Sequence, residues 1–458
     1  VSAAARRIAR FATSLTVDAM PTAVVEAAKL HFLDALGVGL AASRVGHSSR
    51  WITAAQRIGG SGRSTALGDR EGVSSTAAAL LNGALIHSLE YDDTHVASVV
   101  HGSAVAASTA LAAAEAASCD GGRLLAGYVA AWEVMIRLGL SAPGAFQANG
   151  FQISAVGGAI GAATAAAAIG GLAEDEAVSA IGIGGSQASG LMEFLSDGST
   201  VKALHPGWAA HTGIAAAALA SSGMTGPASI LEGRFGFLTA FARDPGAAGR
   251  LDGLLDDLGS TWHLPDAAFK LYPCCHYIHP FLEALQALID GGVTVDNLAE
   301  LTCVVPPPEA PLICEPWERR QHPASGYDGK WGLAYCLAVL LVDGSVEVDT
   351  FDRPPSEPVV AVARRMAWRP MAEHRFPQRF EAEIEARLTD GSTRRVRVDD
   401  VRGAPARPVP VAPVLAKFEA NAGRALAPAA VAAVRDTVLS LDRAGSVATL
   451  SRALQATA

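Results

Sequence analysis

AVGGAIGAATAAAAIGGL, residues Ala155 to Leu172, poses the first question of fold. The run is long and uncharged enough to be weighed as a bilayer span, but Ala and Gly build it rather than Leu and Phe. Small side chains let helix backbones approach closely, so it reads as a helix of a tightly packed interior, and no membrane segment is expected. On either side apolar residues recur three and four apart, with breaks at Gly, Pro, Asp and Ser. The pattern predicts helices over 72–88, 103–118, 121–141, 153–171, 174–190 and 206–222. Pro21 opens an earlier segment in which Val24, Val25, Ala28, Leu30, Phe32 and Leu33 give apolar cover through to Leu40. The opening Val1 to Ala19 reads as an amphipathic helix carrying Arg6, Arg7 and Arg10, not as a secretory leader.

After Thr261 the character changes. A Pro-flanked basic and aromatic stretch leads to a helix over 278–291 and then to Leu301–Val305, β-branched and followed by Pro306, Pro307 and Pro308. Phe380–Leu388 and Arg394–Val398 flank Asp390-Gly391, a strong short-range hairpin signal. Pro405, Pro408, Pro410 and Pro413 form a connector, and from Val414 the chain is again Ala/Leu-rich. The expected organisation is mainly α with a second α+β domain: an all-helical part over 1–262, an α+β part over 263–403, and C-terminal helices over 404–458 that return to the first.

With 458 residues, half of them hydrophobic and 18% charged, the chain has the composition of a well-buried globular protein. Its net charge of −9 argues against sequence-independent nucleic-acid binding, which needs a basic footprint. An anionic substrate is still allowed, because a few buried cations hold a carboxylate locally. Six cysteines scattered without a secretory signal point to reduced thiols in a cytoplasmic setting and to no disulfide framework.

Three stretches concentrate chemistry. The first is His87-Ser88-Leu89-Glu90-Tyr91-Asp92-Asp93-Thr94-His95, followed by His101-Gly102-Ser103 at the start of the next helix. It reads either as an exposed acidic cap or as a site, since ionisable groups are costly to bury unless paired or used. Asp and His also ligate metals, but no His-x-x-x-His or Cys-x-x-Cys pattern accompanies them, so no metal is assigned. The second runs from Gly190 to Trp208 and includes Lys202 and His205 just ahead of a helix whose N-terminus favours anions. The third, Phe269 to Pro280, holds Lys270, Tyr272, Cys274, Cys275, His276 and His279. A capped helix with a surface lysine is the plainer reading of the second stretch. In the third, burial or a neighbouring cation would lower the pKa of Lys270 and suit it as a base. Adjacent cysteines do not supply the ligands of an iron–sulfur centre, so any dehydration here would be acid–base work.

The order His-Ser-Leu-Glu-Tyr-Asp-Asp-Thr-His, then Glu-Phe-Leu-Ser-Asp-Gly-Ser-x-x-Lys-x-Leu-His-Pro-Gly-Trp, then Lys-x-Tyr-Pro-x-Cys-His-x-x-His resembles the MmgE/PrpD family along nearly the whole chain, including the helix end at Leu340 to Gly344. That family includes 2-methylcitrate dehydratases, cis-aconitate decarboxylases and iminodisuccinate epimerases. The resemblance implies a large helical domain made by both chain ends, a smaller α+β lid, a homodimer, and an active site in the interdomain cleft. It carries over Asp93, His101, Lys202 and Lys270 as catalytic residues. Thr94, Gln152, His205, Tyr272, Cys275, His276 and His279 become substrate-binding neighbours. It implies no metal, no cofactor, no nucleic acid and no membrane.

Two departures bear on the reaction. Gln152 follows Gly150-Phe151 where many members have a histidine, and Cys275 stands where the decarboxylase branch has one. The expectation is proton abstraction next to a carboxylate of a small di- or tricarboxylate, by Lys270 or His101, with Asp93 orienting His101. A 2-methylcitrate dehydratase-like hydro-lyase leads, ahead of an epimerase. A decarboxylase and a non-catalytic carboxylate-binding dimer remain as alternatives.

Overall fold

The computed structural model describes residues 3–46, 48 and 50–455. By its internal contacts the chain falls into two compact units. The first comprises Val1–Ser88, Asp92–Ala267 and Pro410–Ala458, and the second comprises Leu89–Tyr91 and Ala268–Val409.

The first unit is a helical assembly around Ile153–Gly170, which packs against Gly121–Ser141, Gly102–Ala117, Glu174–Ser186 and Val201–Ser221. Apart from Ala168 and Gly170, every residue of Ile153–Gly170 is buried, as a helix apolar on all sides must be. That helix and Gly121–Ser141 are long and apolar enough to cross a membrane, yet 89% and 94% of their apolar windows are buried inside the fold. Glycine makes the packing possible. A Cβ at Gly83, on Ser75–Ser88, would lie 2.6 Å from the Gly207 Cα of Val201–Ser221, so these two backbones touch directly.

Helix Thr22–Ala42 packs against Val411–Ala422, which brings the C-terminal segment into the first unit. Val1 and Ser2, where the amphipathic N-terminal helix was expected to begin, lie outside the described residues. Within them that helix runs Ala4–Ser14 and is followed by a 3-10 turn at Val17–Ala19.

Two expectations need correction here. The first unit is not purely helical, because the short strand β1 (Ser61–Ser64) bridges to Val73. Glycines at 60, 62 and 72 let that chain reversal close, and a four-residue strand is too short to show a period. The helix expected over 206–222 instead spans Val201–Ser221. Pro206, expected to open it, lies inside it and costs one backbone hydrogen bond, which the surrounding packing tolerates.

The second unit is built on a four-stranded sheet in the order β3-β2-β4-β5. β2 (Leu298–Val305) pairs antiparallel with β4 (Ala382–Leu388), and β4 pairs antiparallel with β5 (Thr393–Val398) across Asp390-Gly391. Gly391, at φ +85°, takes the left-handed conformation the hairpin needs. β3 (Met366–Pro370) adds a parallel edge to β2, and its Pro370 is tolerated because an edge strand has spare N–H positions. Along β4 the residues Ala382, Ile384, Ala386 and Leu388 face inward and share a core with Phe281, Leu285 and Leu337 of the helices His279–Asp290 and Leu333–Asp343.

Candidate active-site residues

In the first unit a chain of hydrogen bonds runs through four of the polar residues. His205 Nδ1 lies 2.7 Å from Gln152 Oε1, Gln152 Nε2 lies 3.1 Å from His87 Nε2, and His87 Nδ1 lies 2.8 Å from Asp92 Oδ2. Donor and acceptor chemistry fixes the direction. A carboxylate only accepts, so His87 donates through Nδ1 and keeps a lone pair on Nε2. The Gln152 amide donates to that lone pair, and its carbonyl oxygen accepts from His205. Burial, the nearby His87 and Lys202 push the His205 pKa down to about 4. Gln152 thus sets the tautomers of two histidines.

Asp93 was expected to orient His101, and its carboxylate does something else. It accepts from Ser103, by the backbone N–H at 3.2 Å and the hydroxyl at 2.5 Å, and lies 2.7 Å from His31 Nδ1. Ser103 Oγ is 2.6 Å from the Tyr128 hydroxyl, whose pKa burial drives well up with help from the Asp93 charge. His101 is oriented instead by Thr94 Oγ1 at 2.9 Å and by the Asp93 main-chain carbonyl at 3.1 Å. The reason is local. Asp93 and Ser103 lie on either side of His101, the N-cap of helix Gly102–Ala117, and the helix-start N–H draws the carboxylate inward. Because a carbonyl can only accept, His101 donates to it through Nδ1.

His31 escaped the sequence reading, as did Asp34, one turn further along, which pairs with Lys417 at 2.9 Å. Burial raises the Asp34 pKa and lowers that of Lys417, and the attraction between them opposes both shifts. The readable signal was a histidine and an aspartate three apart in an otherwise apolar helical run.

Lys202 is buried in the first turn of Val201–Ser221. A cation at the positive end of a helix dipole is unfavourable by itself and is stabilised by an anion.

The second unit holds Lys270, fully buried, with Nζ 3.1 Å from the Glu90 carbonyl and 3.6 Å from its carboxylate. Glu90 adopts φ +53°, a left-handed conformation that costs energy in a non-glycine residue and recurs where function constrains the backbone. A second lysine, absent from the sequence reading, stands in the same group. Lys330 donates to the Leu89 and Pro273 carbonyls at 2.8 and 3.1 Å and lies over the Phe351 ring, 4.6 Å from its centroid. Burial, aided by the Lys270 charge and opposed by Glu90, lowers its pKa to about 8. No motif flags Lys330, because it sits 60 positions after Lys270 in an unremarkable Asp-Gly-Lys-Trp segment.

Cys275 is buried and bonds its N–H to the Lys330 carbonyl at 2.9 Å. His276 and His279, both buried, have ring centroids 4.7 Å apart, and Tyr272 meets His279 edge-on at 5.3 Å. The six cysteines are buried thiols.

Buried imidazoles in a small-residue helical unit, and a lysine pair beside one carboxylate in an α+β unit, are concentrations of buried titratable groups of the kind that functional sites gather. The chain belongs to the MmgE/PrpD family: residues 6–249 match the MmgE/PrpD N-terminal domain and residues 272–443 the MmgE/PrpD C-terminal domain. It is 29% identical to a cis-aconitate decarboxylase of Aspergillus terreus, over 95% of this chain and 92% of that protein. It is 28% identical to the cis-aconitate decarboxylase of Mus musculus, over 93% and 87%, and 27% identical to that of Homo sapiens, over 91% and 88%.

Proposed function

We propose that this chain is an acid–base lyase of small di- or tricarboxylates, with decarboxylation of a cis-aconitate-like tricarboxylate as its leading reaction. The observation that carries the reading is the buried pair Lys270 and Lys330 beside the Glu90 carboxylate. Buried ammonium groups attract an anionic ligand. In the leading reaction the bond to one carboxylate breaks as CO2 departs. Its electron pair passes into the allylic system conjugated with a remaining carboxylate, and a proton is delivered to carbon. With a pKa of about 8, Lys330 is largely protonated at neutral pH and easily deprotonated, which suits the donor.

Decarboxylation moves ahead of dehydration in this reading because the relatives carry that name. Dehydration of a 2-methylcitrate-like acid is the second reading, favoured by Cys275 in place of a histidine.

Proton NMR in deuterated water with cis-aconitate and 2-methylcitrate tests both. The expected result is loss of cis-aconitate with one deuterium entering the product, and at least a hundredfold loss of rate in Lys202→Ala and Lys270→Ala. Exchange of an alpha proton without loss of CO2 or water would mark an epimerase instead. Survival of turnover in both folded variants would overturn the reading.

A further inference from the structure

We infer that His95, His263 and Asp266 form a binding site for one divalent transition-metal ion of the zinc type. A ring nitrogen of each histidine and a carboxylate oxygen of Asp266 all lie within 4.8 Å of one another. All three residues belong to the first unit, although His95 and His263 are far apart in sequence, which is why no ligand spacing announced them.

The donor set has the right chemistry, since two imidazoles and a carboxylate are the ligands borderline ions prefer. Bonds of roughly 2.0–2.1 Å in a tetrahedron place ligand atoms about 3.4 Å apart, so closure asks for a shift of about an ångström. Asp266 is exposed and free to supply it. Asp266 and the half-buried His263 leave a fourth position open to water.

Two further observations point to a ligand. His263 Nε2 is buried with no hydrogen-bond partner, a state that native structures avoid unless something binds there. The surroundings also fix where both histidines stand. Ser98 lies against His95 Nδ1, its hydroxyl oxygen at 2.8 Å and its N–H at 3.3 Å, so Nε2 is the ring nitrogen those contacts leave to a ligand. The Glu133 carboxylate accepts from the backbone N–H groups of His263 and Leu264 at 2.9 Å each, and is itself bonded to Arg137. An ion here would tie the 92–101 loop, which carries Asp93 and His101, to the 263–266 turn.

Chelator-stripped protein titrated with zinc in a calorimeter tests the site, with Co2+ as a spectroscopic probe of tetrahedral coordination. The expected result is one equivalent bound per chain, a higher unfolding temperature, and affinity weakened at least tenfold in both His263→Ala and Asp266→Asn. Asp266 is exposed, so Asp266→Asn keeps the fold if His263→Ala does not, and circular dichroism checks each. Absence of a stoichiometric ion, or equal uptake by the folded variants as expected if cysteines elsewhere held the metal, would overturn the assignment.

Discussion

Replacing Lys330 by Met offers a measurement of what the buried amine costs the fold. The Lys330 pKa falls from 10.5 to about 8 on folding. Between those values the unfolded chain holds more protons than the folded one, so stability rises with pH across that window and the penalty is fully present below it. At about pH 7 the protein is destabilised by about 3 kcal/mol relative to an unshifted lysine, and from there to about pH 10 most of that penalty disappears. Lys330→Met removes the titration altogether. It also strips the Leu89 and Pro273 carbonyls of their donor, a cost of about 1–3 kcal/mol for each that does not vary with pH. Urea unfolding of both proteins across this range isolates the lysine, because other titrations cancel in the difference. The stability of the variant relative to the parent should fall by about 2–3 kcal/mol as pH rises. A difference that stays constant to within about 1 kcal/mol would refute the argument that burial lowers this pKa.

Two other substitutions read the first unit. Gln152→Glu places a carboxylate where an amide oxygen meets His205 at 2.7 Å, and an opposite charge that close raises an imidazole pKa by about one to three units. Titrating the histidine ring signals by NMR should show His205 moving up from about 4, whereas an unmoved midpoint would mean that the chain of bonds does not set its protonation. Gly83→Ala forces a Cβ to within 2.6 Å of the Gly207 backbone and should cost about 1–3 kcal/mol through overpacking, read as a lower denaturation midpoint. An unchanged midpoint would show that the two helices part without cost.

The helices of the first unit were legible because their apolar period is sustained over many residues. Expected 121–141 and 153–171 became Gly121–Ser141 and Ile153–Gly170. The hairpin at Asp390-Gly391 was legible from turn chemistry. β1 and β3 were not, since four or five residues containing Gly or Pro carry too little alternation to outweigh a loop. Among the polar residues, the stretches rich in His, Asp and Lys drew attention to Asp93, His101, Lys202 and Lys270, while single polar residues in apolar helical runs passed unnoticed. His31, Asp34 and Lys417 are of that kind, and their pairing depends on contacts between segments 62 residues apart for His31 and 383 apart for Asp34 and Lys417. The direction of Asp93 was misjudged for a related reason. Sequence proximity to His101 suggested a partner, but the carboxylate had a hydroxyl, a helix-start N–H and a second imidazole within reach.

These arrangements divide the labour of proton handling. His205, its pKa pushed down to about 4, is neutral near neutrality, and the chain of bonds through Gln152 serves shape and hydrogen bonding. His101 donates through Nδ1 to a main-chain carbonyl, which fixes how its ring is turned. Among the described residues, Lys330 has its pKa brought down to about 8 through burial. A histidine at position 152 would add a titrating ring between two others and make the charge of all three interdependent. An amide at that position removes the interdependence.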